Sequence, residues 1–234
     1  MYAKRNQPLL EEINMIKANA ANQTKRGMFP MRITSHLSLA APIVALAMLV
    51  SANLASAQKT ETIEGGRTTV VLASSFVSAL GSLDVAPGTV GPTRLYNGTV
   101  NFPVTGGAID QDTAASQILH SGGLTLTAGQ TQVTLQSFII DTTGDPVITG
   151  LVSVDGKLLG RLPLFDLALP SGITLPLKPH DGRIILMGVG VTLDSTAAGA
   201  LNSVFHVSAF KGGFGIGTAK VVIDLPGCDD EDED

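Results

Sequence analysis

The chain has 234 residues and a formal net charge of −5, with fifteen Lys and Arg against twenty Asp and Glu. That balance, with no basic cluster to meet phosphates, excludes a nucleic-acid-binding role. Cys228 is the single cysteine, so no intramolecular disulfide can form, and the scattered His120, His180 and His206 spell out no structural zinc site.

Residues 1–30 are polar and mixed in charge, too long for an ordinary charged leader, and they read as an extension upstream of a start at Met31 or Met28. Arg32, the apolar stretch 37–50 and Ala55-Ser56-Ala57 then follow in the order of a secretory signal peptide, residues 31–57, cut after Ala57. A membrane anchor is the competing reading. The stretch 37–50 spans only about 21 Å as a helix, against a hydrocarbon core of roughly 30 Å, so cleavage is favoured and no membrane span remains after it. Six of the fifteen basic residues fall within 1–57; the remainder carries nine basic and eighteen acidic residues, six of the acids in the run 229–234. The body is therefore only mildly acidic, and 226–234 reads as a disordered, solubilising tail.

Residues 58–66 are polar, end in Gly65-Gly66 and read as a flexible arm. From Thr68 onward Val, Thr, Leu and Ile dominate, with glycine-containing turns at short intervals. Val100, Phe102 and Val104 alternate with Thr99, Asn101 and Thr105; Pro103 in that run places the strand at an edge or bulge. Leu124 and Leu126, then Val133 and Leu135, then Val189, Val191 and Leu193 alternate in the same way, and Phe138-Ile139-Ile140 breaks the phase. Period-two patterning fits sheets with one buried face. Asn97-Gly98, Asp155-Gly156 and Asp181-Gly182 supply the positive φ angles of two-residue hairpins. Gly144-Asp145-Pro146 marks a further turn, and 170–179 a proline-rich loop.

Two segments have helical spacing: Phe76, Ala79, Leu80 and Leu83 after Ser74, and Ala197, Ala200, Leu201, Val204 and Phe205 after Asp194-Ser195, with Ser or Asp placed to cap each. Leu72, Ser74, Ala79, Leu80 and Ser82 recur as Leu193, Ser195, Ala200, Leu201 and Ser203, as if one strand-then-helix unit were used twice. The expected fold is all-β: an immunoglobulin-like antiparallel β-sandwich over residues 67–225 with two short helices.

No catalytic set stands out: there is no G-x-S-x-G elbow, no H-E-x-x-H and no Walker loop. Gly213-Phe214-Gly215-Ile216-Gly217 has the wrong spacing for a nucleotide loop, and a grouping such as Ser121, His120 and Asp110 can be drawn from any chain of this length. His120 and Tyr96 are the candidate ligand-binding residues. His120 precedes Gly122-Gly123, which permit close approach by a ligand or by another backbone segment, and its plain alternative is a hairpin cap. Tyr96 could ligate ferric haem through its phenolate, or pack against a cross-strand neighbour beside Asn97-Gly98. Asn97-Gly98-Thr99 also fits a glycosylation acceptor. His206 reads as structural and His180 as solvated.

Taken in order, several pieces resemble the HtaA-type haem-uptake domain of bacterial surface and secreted proteins: Ser75-Phe76-Val77-Ser78-Ala79, then Phe102-Pro103-Val104-Thr105-Gly106-Gly107, then His120-Ser121-Gly122-Gly123-Leu124, then a helix and glycine-rich last strand within 192–222. The resemblance covers most of residues 68–224. It implies a shared β-sandwich and haem as a cofactor, with His120 where the family carries a histidine that supports the iron ligand. Ala79 stands where the family has its haem-coordinating tyrosine and cannot ligate iron. The expected function is a secreted or cell-surface, non-enzymatic protein binding a protein partner, a cell-envelope component or a small hydrophobic ligand, haem among the candidates. The alternative is a structural or adhesive surface module without a small ligand, and an enzyme comes third.

Overall fold

Alternating apolar and polar residues, interrupted by glycines and Asx-Gly turns, divide this chain into strands. A computed structural model describes residues 60–227; the expectations for residues 1–57, Cys228 and the acidic run 229–234 lie outside the described residues. The elements in order are β1 (Thr60–Ile63), β2 (Gly65–Leu72), α1 (Ser74–Ser82), β3 (Ala86–Val90), β4 (Arg94–Tyr96), β5 (Thr99–Asp110), β6 (Ser116–His120), β7 (Gly123–Ala128), β8 (Thr131–Asp141), β9 (Val147–Val154), β10 (Lys157–Ala168), β11 (Arg183–Leu193), α2 (Ser195–Phe205) and β12 (Gly215–Asp224).

Every described pairing is antiparallel, and eight strands close on themselves in the order β5-β2-β12-β11-β10-β9-β8-β6 and back to β5. The expected immunoglobulin-like sandwich is therefore corrected to a closed barrel. The closing strand is β6, which pairs with β5 on one side (Ile109 opposite Ser116, Val104 opposite His120) and with β8 on the other (Ile118 opposite Ile140). Two irregularities bend its neighbours toward each other: a register shift between Val104 and Gly106 on β5, and one between Gln136 and Ile139 on β8, where Ser137 adopts φ 53°. Bulges of this kind kink a strand and increase its twist, which lets a sheet curl shut. The phase break at Phe138-Ile139-Ile140 is this second bulge.

The long strands serve several partners. One edge of β5 takes β2 over Thr99 to Pro103 and β1 over Gly107 to Asp110; its other edge takes β4 and β6. Pro103 accordingly lies inside the barrel wall opposite Arg67, not on a free edge, with the bulge beginning one residue later. Thr60–Ile63, read as part of a flexible arm, is strand β1, because Ile63 finds a fully buried position beside Gly107. Along β8, β7 pairs with the first half and β6 with the second, and β3 continues outward from β7.

All three Asx-Gly hairpins are present, with φ of 47° and 71° at Asn97-Gly98, 50° and 77° at Asp155-Gly156, and 47° and 61° at Asp181-Gly182. Asp194 caps α2, its carboxylate accepting from the amides of Thr196 (2.7 Å) and Ala197 (3.1 Å). For α1 the expectation fails: Ala73 is the N-cap and no side chain caps it, Ser74 being already helical. The strand-then-helix unit does recur, β2 into α1 and β11 into α2, on strands that flank β12.

Inward-facing side chains fill the barrel. Ile63, Val100, Ile109, Ile118 and Ile223 are fully buried, each contributing about 1.5–3 kcal/mol of apolar burial. Phe102 of β5 meets Phe138 of β8 edge to face, ring centroids 5.2 Å apart, spanning the closing strand. Gly107 (φ 138°) lies against the Gln117 carbonyl across the β5–β6 seam, where a Cβ would collide with backbone. Gly107→Ala is expected to lower stability by about 2 kcal/mol or more in urea unfolding, whereas Gly144→Ala, at an open turn, changes it by less than about 0.5 kcal/mol.

Candidate functional site

His120 ends β6, and the period-two alternation that buries Ser116 and Ile118 carries its ring inward too, to 6 % exposure. Thr68 shares the inward phase of β2 with Val70, and its Oγ1 lies 2.7 Å from His120 Nε2. The hydroxyl and ring nitrogen form one buried polar pair linking β2 to β6 past the intervening β5. Nδ1 makes no hydrogen bond of acceptable geometry. Burial is the largest influence on the ring, since an apolar interior disfavours the cation; it lowers the pKa to about 4, opposed by the backbone of Phe138 and Ile118. At neutral pH His120 is an uncharged imidazole.

Around this pair is a cavity of about 50 Å³ in the barrel lumen, lined by side chains from all eight barrel strands and from β7. Apart from His120 and Thr68 the lining is aliphatic or aromatic, with Phe102, Phe138 and Ile140 among it. Leu72, Leu124 and Phe165 are the half-buried residues of the lining, the others being buried, which marks theirs as the side nearest solvent and so as the mouth. Beside that mouth β2 runs into α1, and Phe76 of α1 packs edge to face on Phe214, centroids 6.4 Å apart. The cavity admits one or two very small molecules, or the apolar end of a larger one; for scale, a sealed apolar cavity of about 150 Å³ takes up benzene.

The structure does not bring the two candidate residues together. Tyr96 of β4 is 76 % exposed on the outer wall, beside Thr99, while His120 is inside. His120 is more than a hairpin cap, and the adjacent glycines serve backbone packing: Gly122 (φ 79°) lies under Thr93 and Val90, and Gly123 lies on Leu135 and Gln136. Asp110 sits at the far end of the β5–β6 ladder from His120 and turns its carboxylate to the amides of Asp112 and Thr113, so no Ser-His-Asp grouping forms. His206 holds the left-handed C-cap of α2, φ 55°, and His180 is exposed beside Asp181. Thr68 was not singled out from sequence. Its signal was available: a polar residue on the inward phase of an otherwise apolar strand requires a partner inside.

No family model matches this chain, and no curated protein matches it. Among solved structures, the C-terminal domain of HtaA from Corynebacterium glutamicum superimposes with a TM-score of 0.56 at 14 % identity, covering 70 % of this chain and 99 % of that domain. The N-terminal domain of the same protein gives 0.53 at 12 %, again covering 70 % and 99 %. This chain has the HtaA-domain fold. At these identities the likeness establishes architecture, and function rests on this chain's own residues.

Those residues do not fit a haem iron where the resemblance would put it. Ala79 on α1 offers no donor atom, and His120 faces a lumen far too small for a macrocycle. Tyr96 is the one phenol among the described residues, and it lies outside the HtaA-type barrel's cavity.

The buried imidazole has a measurable consequence. An unfolded histidine titrates near 6.5, so between pH 6.5 and about 4 the unfolded chain binds a proton that the folded barrel refuses. The contribution is complete above pH 6.5 and is lost as pH falls toward 4, by roughly 3 kcal/mol. Urea midpoints at pH 7.5 and 4.5 are expected to separate more widely for the native sequence than for His120→Leu; equal separations would show that the ring titrates in the fold.

Proposed function

We propose that this chain is a secreted, non-enzymatic binding module that takes the apolar end of a small hydrophobic ligand into the mouth of its barrel. The carrying observation is the lumen cavity itself: apolar on every wall, reached past Leu72, Leu124 and Phe165, with His120 and Thr68 as its only polar groups. Sites of this composition select by shape and use a few polar groups to orient the ligand, and eight-stranded barrels can hold one small ligand inside. Against catalysis stands the state of His120: a general base works best with a pKa near the working pH, and a ring at about 4 with only Thr68 on it is poorly matched. Export rests on the signal-peptide pattern of residues 31–57, which would deliver the domain to the periplasm, cell surface or medium.

Haem is the second reading, favoured by the shared HtaA fold. Since neither Ala79 nor the lumen suits the iron, haem would have to dock on the outer wall, where Tyr96 is exposed beside Arg94 on β4.

One titration series separates the readings. Residues 58–234 are titrated with a medium-chain aliphatic alcohol, followed by amide shifts, and with haemin, followed by visible absorbance. The proposal expects saturable shifts at Thr68, His120 and Leu124, abolished by Leu124→Trp, which fills the mouth. A saturable Soret shift lost in Tyr96→Phe would establish haem instead. Silence toward both probes would overturn both readings and leave a structural or adhesive surface module.

A further inference from the structure

The outer wall over β11, β12, β2, β5 and β4 differs in character from the lumen. Antiparallel register sets Met187, Lys220, Thr69, Asn101 and Arg94 side by side across these five strands. The outward row on one side of this holds Ile185, Val222, Arg67 and Pro103, and the row on the other holds Thr218, Val71, Thr99 and Tyr96. Arg67, Arg94 and Lys220 are all exposed, and none forms an ion pair among the described residues. No acidic residue occurs in the three rows. Asp224, two residues past Val222 on β12, is held by Arg183 at 2.9 Å. Tyr96, Met187, Val71 and Ile185 are each at least half exposed. Three free cations and four exposed apolar side chains are thus interleaved on one face of a body that is otherwise mildly acidic.

The face measures about 19 Å across the strands and about 13 Å along them. A soluble polyanion would meet its cations and gain nothing from Tyr96, Met187, Val71 and Ile185. The surface of an anionic bilayer uses both kinds of group. Headgroup phosphates accept from guanidinium and ammonium groups, while aromatic and apolar side chains settle at the headgroup level. Long Arg and Lys side chains carry their charge from an apolar face up to that same level. β12, β2 and β5 are paired along both edges over these rows, so contact with lipid strands no ladder group. We propose that this wall docks peripherally on an anionic lipid bilayer. Arg67, Lys220 and Arg94 meet the phosphates, and Tyr96 and Met187 enter the interface between them. The acidic remainder of the body is repelled by such a surface, so charge also sets which side faces it. The docking is independent of what the lumen holds.

The native sequence carries its own probe. Tyr96 is the one tyrosine in residues 58–234, which contain the whole described barrel, and the chain has no tryptophan, so tyrosine emission reports this face alone. Residues 58–234 are titrated with vesicles of phosphatidylglycerol and chain-brominated phosphatidylcholine in equal parts, and with vesicles of the brominated lipid alone. Saturable quenching is expected with the first, and affinity at least tenfold weaker with the second. Each cation near an anionic leaflet is worth about fivefold in partitioning. Arg67→Gln/Arg94→Gln/Lys220→Gln should therefore bind at least tenfold more weakly, with an unchanged urea midpoint showing an intact barrel. Raising salt from about 0.1 M to about 1 M, where the screening length falls to roughly 3 Å, should weaken the native chain comparably. Absence of quenching, equal affinity for both vesicles, or indifference to salt would overturn the proposal. Binding to the anionic vesicles without quenching by the brominated chains, matched by equal affinity for long-chain polyphosphate, would overturn it too, by assigning the face to a soluble polyanion.

Discussion

Ser116–His120 hydrogen-bonds along both of its edges, to β5 on one side and to β8 on the other. Five residues thereby convert what would be an open curled sheet, with two unpaired edges exposed, into a barrel whose edges satisfy each other. The surrounding features serve this closure. Bulges at Val104/Gly106 and at Ser137 turn the flanking strands inward, Gly107 lets Gln117 approach, and Phe102 packs on Phe138 behind the seam. The same closure creates the lumen, and it fixes His120 there because the ring ends the strand in inward phase.

A closed wall also sets the chemistry of that ring. Burial of the ring disfavours its protonation, and Thr68 is the partner that meets Nε2. At neutral pH the one titratable group on the chamber's wall is an uncharged imidazole. On the outside, the same alternation that fills the lumen with Val and Ile sets Arg67, Lys220 and Arg94 in neighbouring positions facing solvent. The barrel thus presents two unlike surfaces, an apolar interior and a basic, partly aromatic wall, with Tyr96 belonging to the second.

Much of the local structure was legible in the sequence. The Asx-Gly hairpins, the inward set Val100-Phe102-Val104, the phase break after Gln136 and the Asp194 cap are all short-range signals, and they are where the residues put them. Closure was not legible, because inward alternation reads identically in a sandwich and in a barrel; only the double pairing of β6 distinguishes them, and that is a long-range property. The arm was misjudged for a related reason: Thr60–Ile63 is polar on its outer phase, and its one strongly apolar residue, Ile63, gains its place only when β5 is present. His120 was legible as a residue of interest, but its partner Thr68 lies 52 positions away. The ordered motifs that resemble HtaA domains are matched by the shared fold, even though at 14 % identity few side chains are shared.

The barrel encloses an apolar chamber with His120 and Thr68 at its polar side. The most direct measurement is a crystal structure of residues 58–234 determined under xenon pressure, since xenon enters dry apolar cavities and avoids hydrated ones. The account predicts a xenon site among Phe102, Leu124, Phe138 and Ile216, with no ordered water on His120 Nδ1. A lumen filled by water hydrogen-bonded to His120, or one collapsed with no xenon bound, would contradict it.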